Sequence, residues 1–467
     1  MKSSRNCFLF ISIVLVTLLF GCKNTKVSKP SFTSEHKKNE AIVFFSNLEF
    51  KKNLSDSLEK LLTIENKGVL PKITKKPCSN CLELSELWTA EGLDSLLIRI
   101  MNGHGDRIAT ADRSTQGVND GYAVFGLNFL TSMPETLKEE KTIGKFIIPK
   151  DISFSESGNN FIVGILDSGV DLNIFPLEFL FLNSIDDACF KNERYGWNFV
   201  NNSSDITDGT ISKHGTLVNA YILEQFLNEG KIRPKLLNVK VLDNLNSGTC
   251  FDLLCGILYA KEKGAKIINA SMGFYDNTEY TNKTDYKNSI FYMLLEEHLL
   301  PNEILLVTAA GNIGSSTGNS RNLAQNRFYP AYMSETNVNR PNNVVTATTI
   351  NPNLEEVSPR QNYSPKHVDV GVVSDSIEGE IYKFDYPFFY QNSGGVQPFT
   401  TGSSFANAIM TGKIGAKFDF RLSYMFKNSP KSEWSEKFLD LGIYQQDSPN
   451  QLSGFIYKGR YSHRRDE

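Results

Sequence analysis

The sequence predicts an α/β protein whose core is a doubly wound three-layer sandwich around a mostly parallel sheet. Short apolar runs alternate with longer segments that repeat apolar residues at helical spacing, the pattern of parallel strands joined by crossover helices. Polar residues directly follow several apolar runs, as they do at the ligand-binding edge of such sheets. The predicted strands are 161–166, 237–242, 266–270, 304–309 and 343–349, and the predicted helices are 214–227, 251–263, 285–299 and 403–417.

Length and composition indicate a globular protein with more than one part. The chain has 467 residues, of which 40% are hydrophobic and 22% are charged. Both fractions are ordinary for globular proteins, and the length exceeds that of one average domain. The net charge of −3 gives no reason to expect a nucleic acid or an anionic membrane surface as a partner.

The first 22 residues have the layout of a bacterial export signal. Two basic residues precede an apolar run from Cys7 to Phe20, which is short for a membrane span. The run ends in a sequence that resembles a lipobox, so we expect Cys22 to become lipidated. The protein would then be an exported, membrane-anchored lipoprotein on the periplasmic or cell-surface side. Simple cleavage and a retained anchor are the alternatives, and residues 23–40 are predicted to form a flexible tether.

Five further cysteines follow Cys22: Cys78, Cys81, Cys189, Cys250 and Cys255. Because five is odd, at least one stays unpaired unless it bonds another chain. Cys78 and Cys81 are close enough in sequence to form a small disulfide loop in an oxidising compartment. The helical spacing around Cys255 predicts a core position for that residue. No second Cys or His pair has the spacing of a zinc site.

Four polar residues stand at the ends of predicted elements. Asp167 and Asn312 each follow an apolar strand, whereas His214 and Ser404 each begin a helix. A serine at a helix start lies beside free backbone N–H groups and the positive end of the helix dipole. An asparagine amide offers hydrogen-bond donors without a charge, which suits an oxyanion hole. Taken singly, each residue is more often explained by a turn, a cap or a core position than by catalysis.

Taken together, these segments resemble the subtilisin-like serine peptidases, the subtilases (peptidase S8). The resemblance runs from about residue 160 to about residue 418 and follows the chain order Asp, His, Asn, Ser. It implies a triad of Asp167, His214 and Ser404 with Asn312 in the oxyanion hole, and thus hydrolysis of peptide bonds. The motifs that carry it are Asp167-Ser168-Gly169, His214-Gly215-Thr216, Ala309-Ala310-Gly311-Asn312 and Gly402-Ser403-Ser404-Phe405-Ala406.

The resemblance also implies how a substrate is held. Ser271, Met272 and Gly273 would pair with an extended peptide as an added strand. Ala309, Ala310 and Gly311 would line the first specificity pocket, where their small size suggests a medium or large apolar side chain before the cut bond. Many subtilases bind calcium, but no acidic loop here has adequate ligand spacing, so no metal site is assigned and no cofactor is required. A monomer is expected.

The resemblance divides the rest of the chain into flanking regions. The peptidase domain is predicted at 156–420, preceded by a region at 41–155 and followed by an extension at 421–467. The preceding region is either a cleavable propeptide, as in many subtilases, or a permanent accessory domain. A cut after it would detach the peptidase from a lipid on Cys22, which favours retention. The charged end from Arg464 to Glu467 is expected to fray.

Local patterns outside the motifs are weaker. Helices are predicted at Leu54–Leu62 and Leu82–Ile100, whereas Gly117–Asn128 is loop-like or β-like. Residues 313–328 and 351–398 are rich in Asn, Ser, Gly and Pro, which predicts surface loops around the cleft.

Departures from the family pattern leave alternatives open. Leu217 stands where the family usually has a second histidine, and Ala408 stands where it usually has proline. A catalytically silent subtilase fold that serves as an anchored binding or assembly protein is therefore the alternative function. A third possibility is an active peptidase that cleaves only one dedicated partner peptide.

Overall fold

Two sheets and the helices packed on them make up most of the described protein. The structure, a computed structural model, describes residues 33–104, 107–110, 121–132, 144–183, 188–276, 289–313, 321–336, 342–391, 398–447 and 450–465. Numbered along the chain, the strands are β1 His36–Phe45, β2 Thr74–Ser79, β3 Leu82–Thr89, β4 Arg107–Thr110, β5 Tyr122–Ser132, β6 Lys145–Phe146, β7 Glu156–Asp167, β8 Gly196–Asn198, β9 Ile232–Lys240, β10 Ser247–Thr249, β11 Ile267–Ala270, β12 Phe274–Tyr275, β13 Leu305–Ala309, β14 Phe328–Tyr329, β15 Val344–Ile350, β16 Val370–Val373, β17 Ser376–Glu378, β18 Ile381–Asp385, β19 Tyr390–Gln391, β20 Phe399–Thr400 and β21 Tyr461–Ser462.

The α-helices are numbered in the same way. They are α1 Lys51–Glu65, α2 Leu93–His104, α3 His214–Glu229, α4 Cys250–Glu262, α5 Ile290–Met293, α6 Ser403–Ala416, α7 Phe420–Asn428 and α8 Lys431–Asp440. Helix α5 continues as a π-helical turn over Leu294–Leu299 and a 3-10 turn over Leu300–Asn302.

The central sheet has eight strands in the order β21-β16-β15-β13-β11-β7-β9-β8, and every pairing in it is parallel. Helix α4 packs in one hydrophobic cluster with Leu166 and Leu306, whereas α3 and α6 pack in another with Ile165 and Val307. Since neighbouring residues of one strand face opposite layers, the sheet is covered on both faces. The predicted fold class is confirmed.

The second sheet is antiparallel and joins the N-terminal region to the rest. Its strands run in the order β10-β5-β1-β3-β2, with β4 also on β5, and β10 comes from the peptidase half of the chain. The predicted helix Leu82–Ile100 is wrong in its first part, because β3 occupies Leu82–Thr89 and the helix begins only at Leu93. β3 pairs with both β1 and β2, and these long-range pairings outweigh the local apolar spacing.

Two disulfides connect the two halves of the chain. Cys78 bonds Cys255 and Cys81 bonds Cys189, with Cα–Cα distances of 5.3 and 6.0 Å. The expected loop between Cys78 and Cys81 is therefore wrong, since each cysteine reaches a partner more than 100 residues away. Cys250 is buried and unpaired, as the odd count of cysteines predicted.

These disulfides predict the behaviour of a cut chain. A recognition site for a sequence-specific protease can be inserted between Ser132 and Gly144. Cleavage there would break the chain between the N-terminal region and the peptidase region. On a denaturing gel without reductant the cut protein should run as one species, and with a thiol reductant it should run as two. The Cys78→Ser/Cys81→Ser variant should give two species in both cases. Two species from the cut parent protein without reductant would contradict the pairing.

The C-terminal extension completes the central sheet. Strand β21 pairs with β16, and beyond it Arg464 is 2% exposed. The Arg464 Nε and Nη2 donate to the Glu224 carboxylate over 2.7 and 3.0 Å, and a second ion pair joins Arg464 to Asp375. The expectation of a frayed end is therefore wrong at Arg464, because buried Glu224 on α3 needs a cation. The expected surface loop 351–398 likewise contains a buried sheet strand, β16.

The Arg464–Glu224 pair gives a stability prediction with a matched control. Arg464→Met should lower the free energy of unfolding by about 3–5 kcal/mol, because Glu224 is left charged and buried. Arg465 lies 3.6 Å from the same carboxylate, but its side chain is 52% exposed, so Arg465→Met should cost only about 0–1 kcal/mol. Denaturant unfolding measures both values. Equal losses in the two variants would disprove this account of the C-terminus.

Within the described residues, no helix combines the length and the apolar character that crossing a membrane requires.

Candidate active site

The four polar residues singled out in the sequence lie on elements that meet at one edge of the central sheet. Asp167 ends β7, and Asn312 follows β13. These strands flank β11 in parallel, so their carboxyl ends lie on the same side. His214 is the first residue of α3 and Ser404 the second of α6. Asp167, His214 and Ser404 are 1%, 2% and 3% exposed, so water hardly reaches them.

Asp167 and His214 form a buried hydrogen-bonded pair. His214 Nδ1 lies 2.9 Å from Asp167 Oδ1, which also accepts the backbone N–H of Ser168 over 2.8 Å. His214 Nε2 and Asp167 Oδ2 are buried without a hydrogen-bond partner. Such buried polar atoms are rare and costly in native proteins, so each one needs a physical reason. The carboxylate fixes the ring orientation and leaves Nε2 available to exchange a proton.

Glycine after His214 allows this approach. A Cβ on Gly215 would lie 2.2 Å from the carbonyl oxygen of Gly169 and 3.1 Å from Asp167 Oδ1. Any side chain there would push α3 away from the strand end and separate the carboxylate from the imidazole.

A second buried carboxylate supports the first. The Ser168 hydroxyl lies 3.3 Å from Asp167 Oδ1 and 3.1 Å from Asp208 Oδ1, and it accepts the Gly215 N–H over 3.0 Å. Asp208 Oδ2 accepts both the N–H and the hydroxyl of Thr216. Asp208 therefore ties the β7 end to the first turn of α3. Asp208 could not be selected from the sequence, because Asp208-Gly209 is typical of an ordinary turn.

Lys240 balances these acids from the end of β9. Its ammonium donates to the carbonyl oxygens of Ser168 and Thr207 over 2.5 and 3.0 Å. Burial lowers the pKa of Lys240, whereas the neighbouring carboxylates, with Asp208 the strongest, act to raise it.

The Ser404 hydroxyl is held by the segment after β11. Its Oγ donates to the carbonyl oxygen of Ser271 over 3.0 Å, and the Ser271 hydroxyl donates to the Ser404 carbonyl over 3.1 Å. The ring of the next residue, Phe405, packs on the His214 imidazole with 5.0 Å between centroids. The start of α6 therefore lies beside the imidazole, whereas the Ser404 hydroxyl in this structure donates to the Ser271 carbonyl.

The Asn312 amide is oriented by Ser403. Asn312 Oδ1 accepts the backbone N–H and the hydroxyl of Ser403, each over 3.0 Å. Since the oxygen is committed to α6, the Nδ2 donors are turned away from Ser403. Gly402 has φ +125°, and a Cβ there would lie 3.3 Å from Asn312 Nδ2. Glycine is required by both the backbone conformation and the approach to the amide. The role of Ser403 was not predicted from the sequence.

The residues expected to hold substrate lie beside this group. Ser271 and Met272 are buried, and a Cβ on Gly273 would lie 2.1 Å from the Tyr329 carbonyl oxygen. Next to them, β12 pairs with β14, and the backbone N–H of Ser34 donates to the Tyr275 carbonyl over 2.8 Å. Ala309 and Ala310 are also buried, and Gly311 donates its N–H to the Ser403 hydroxyl over 3.1 Å.

The N-terminal region reaches the same neighbourhood through β10. Leu130, Thr131 and Ser132 of β5 pair with Thr249, Gly248 and Ser247, respectively. The hairpin that carries β10 begins at Val241, whose N–H donates to the Asp167 carbonyl over 2.9 Å. The backbone edge of β10 facing β5 is therefore already occupied by the protein's own chain.

His298 and His367 are also buried, but their contacts differ from those of His214. Burial lowers the pKa of His298 to about 4 and that of His367 to about 3, so both are neutral near pH 7. His298 packs against Phe44, and His367 stacks on Tyr332. The rings of both contact aromatic side chains, whereas the His214 imidazole is paired with the Asp167 carboxylate.

In the described parts of the chain, no three His, Cys, Asp or Glu side chains gather in a way that could hold a metal ion. No residues are therefore assigned to calcium.

Comparison with protein families gives a match to the subtilase family, Peptidase S8, over residues 158–416. This span is more than half of the chain and contains all four polar residues. Among curated proteins, the thermophilic serine proteinase of Bacillus sp. (strain AK1) is 30% identical over 172 residues, 36% of this chain and 36% of that protein. Thermitase of Thermoactinomyces vulgaris is 32% identical over 148 residues, 30% of this chain and 44% of thermitase. The matches thus span less than half the length of these relatives.

Solved structures of similar proteins were also found. The epidermin leader peptide processing serine protease (EpiP) from Staphylococcus aureus has a TM-score of 0.48 at 14% sequence identity, over 92% of this chain and 97% of that one. Fervidolysin from Fervidobacterium pennivorans, a keratinolytic enzyme related to subtilisin, has a TM-score of 0.47 at 15% identity, over 86% and 59% of the two chains.

Proposed function

Because the chain belongs to the subtilase family, we propose that it is a serine endopeptidase that uses Asp167, His214 and Ser404 as a triad. One observation carries the proposal: a buried His214–Asp167 hydrogen bond leaves Nε2 without a partner, next to the helix start that bears Ser404. A general base needs one nitrogen held and the other available.

The reaction begins with a rotation of the Ser404 side chain. The hydroxyl leaves the Ser271 carbonyl and turns to His214 Nε2, a change between staggered χ1 rotamers. His214 then accepts the hydroxyl proton while Oγ attacks the peptide carbonyl carbon. The imidazolium that forms is stabilised by Asp167, and it returns the proton to the leaving amine. Water then hydrolyses the acyl-enzyme by the same steps.

The negative oxygen of the tetrahedral intermediate needs donors that are already oriented. Asn312 Nδ2 would supply one, because Ser403 holds the amide oxygen in the opposite direction. The Ser404 backbone N–H would supply the other, since it lies in the first turn of α6, beside the attacked carbonyl. The positive end of the α6 dipole adds to this stabilisation.

Proteins or peptides are the substrate class that the family implies. A peptide would extend along Ser271, Met272 and Gly273, with the small residues Ala309, Ala310 and Gly311 opposite. The N-terminal region pairs through β5 with β10, and the hairpin that carries β10 is bonded to the Asp167 carbonyl, so we propose that the N-terminal region limits access to the site. This limitation favours a few dedicated substrates over general proteolysis.

We also propose that the protein is an exported lipoprotein anchored through Cys22, and that it works as a monomer. The two disulfides support an oxidising compartment. The disulfides also favour retention of the N-terminal region. Even if the chain were cut after this region, they would hold it, and with it the anchor, to the peptidase. Metabolic labelling with a radioactive fatty acid tests the anchor. Label is expected in the parent protein and should be lost in Cys22→Ser.

A fluorophosphonate probe tests the chemistry most directly, because it reacts with an activated serine and needs no substrate. The parent protein should be labelled and Ser404→Ala should not be. Ser403→Ala is the matched control, since it removes the neighbouring hydroxyl and should keep the label. A folded parent protein that stays unlabelled would favour the silent binding or assembly protein. Labelling without casein cleavage would favour a dedicated substrate.

A further inference from the structure

The ring of Phe328 fills the space between two segments near Ser404. One segment ends at Gly273 and the other at Gly311. A Cβ on Gly273 would meet ring carbons of Phe328 at 2.6 and 2.7 Å, and a Cβ on Gly311 would meet them at 2.9 Å. Phe328 is 4% exposed, and its ring packs on Tyr275 with 4.9 Å between centroids. The ring therefore touches both segments and is supported from behind.

The geometry of the proposed reaction indicates which part of the substrate would enter this space. In the proposed mechanism the attacked carbonyl carbon lies at Ser404 Oγ and its oxygen at Asn312 Nδ2. The side chain of the residue that supplies this carbonyl starts one bond away from the carbonyl carbon. Gly311 precedes Asn312, and Ser271 contacts the Ser404 hydroxyl. The side chain before the cut bond must therefore enter between these two segments.

We infer that Phe328 determines specificity and restricts the residue before the cut bond to glycine, alanine or serine. The inference rests on the proposed function and names its substrate class. Protein interiors are closely packed, so a space filled by an aromatic ring accepts a large side chain only if the ring moves. Tyr275 behind the ring opposes such a movement.

This inference differs from the expectation of a medium or large apolar side chain before the cut bond. That expectation rested on the small size of Ala309, Ala310 and Gly311, while the opposing wall was unidentified. The structure supplies this wall from β14, a different part of the chain. Small residues on one side therefore make room for the enzyme's own phenylalanine rather than for a large substrate side chain.

Esters of single amino acids test the inference because they are too short to bind as an added strand. Their binding therefore does not depend on the edge of β10 that β5 already occupies. The p-nitrophenyl esters of N-acetylalanine and N-acetylphenylalanine are compared by kcat/KM, after titration of active sites with the fluorophosphonate. The parent protein should prefer the alanine ester at least about tenfold. Phe328→Gly should raise kcat/KM for the phenylalanine ester about tenfold to hundredfold. The kcat/KM of Phe328→Leu for the phenylalanine ester should fall between that of the parent protein and that of Phe328→Gly.

Phe455→Leu is the control, since Phe455 packs on Tyr363 in the same hydrophobic cluster and should keep the parent preference. Should Phe328→Gly fail to fold by circular dichroism, the parent protein and Phe328→Leu decide the question. A labelled parent protein that prefers the phenylalanine ester overturns the inference and leaves the proposed function intact. A folded parent protein that takes no label and cleaves neither ester overturns both.

Discussion

Replacing either His214 or Ser404 by alanine is expected to lower kcat about a million-fold, the size of loss found for the triad of a subtilase. In the proposed mechanism the two residues act as one unit, because the hydroxyl attacks only when the imidazole accepts its proton. The His214→Ala/Ser404→Ala double variant should therefore be no worse than either single variant. Turnover of a peptide or ester substrate, with purified protein free of other proteases, measures all three.

The alternatives make different predictions for this set. Additive losses in the double variant would mean that His214 and Ser404 act independently, contrary to the proposed relay. Near-normal turnover in Ser404→Ala would assign the nucleophile to another residue. Thermal unfolding should be measured in parallel, since the buried Asp167 carboxylate loses its imidazole partner in His214→Ala.

The second large effect concerns the oxyanion. Asn312→Ala should lower kcat about a hundred- to a thousandfold and change KM little, because the amide contacts the oxygen only as negative charge develops. Folding should persist, since Asn312 lies at the cleft and is only partly buried. Steady-state kinetics on the titrated enzyme separate kcat from KM.

Ser403→Ala is the graded control for this prediction. It removes one of the two hydrogen bonds that hold Asn312 Oδ1, and the bond from the Ser403 backbone N–H remains. A loss smaller than that of Asn312→Ala is therefore expected. A rise in KM with unchanged kcat in Asn312→Ala would instead mean that the amide binds substrate in its ground state.

The sequence predicted the central layers well, because strands buried on both faces carry near-continuous apolar runs. Strand β13, for example, was predicted at 304–309 and lies at Leu305–Ala309. Predictions failed where distant pairings decide the structure. Residues 82–89 have apolar residues at spacings that allow a helix, but pairing with β1 and β2 makes them a strand. The disulfide partners of Cys78 and Cys81 are distant for the same reason.

The proposed catalytic residues could be selected from the sequence because each lies in a short motif at the end of a strand or the start of a helix. Their supporting residues could not. Asp208 acts through hydrogen bonds to Ser168 and Thr216, and nothing adjacent to it in sequence marks that function. Phe328 is separated in sequence from both glycines that its ring contacts. Residues whose function depends on three-dimensional contact alone leave no local pattern.

A crystal structure of the protein after reaction with a fluorophosphonate is the most direct test of the central claim, that Asp167, His214, Asn312 and Ser404 act on one reacting atom. The account predicts phosphorus bonded to Ser404 Oγ, a phosphoryl oxygen within hydrogen-bond distance of Asn312 Nδ2, and the Ser271 carbonyl released. An adduct on another residue, or a Ser404 that remains unmodified and bonded to Ser271, would contradict it.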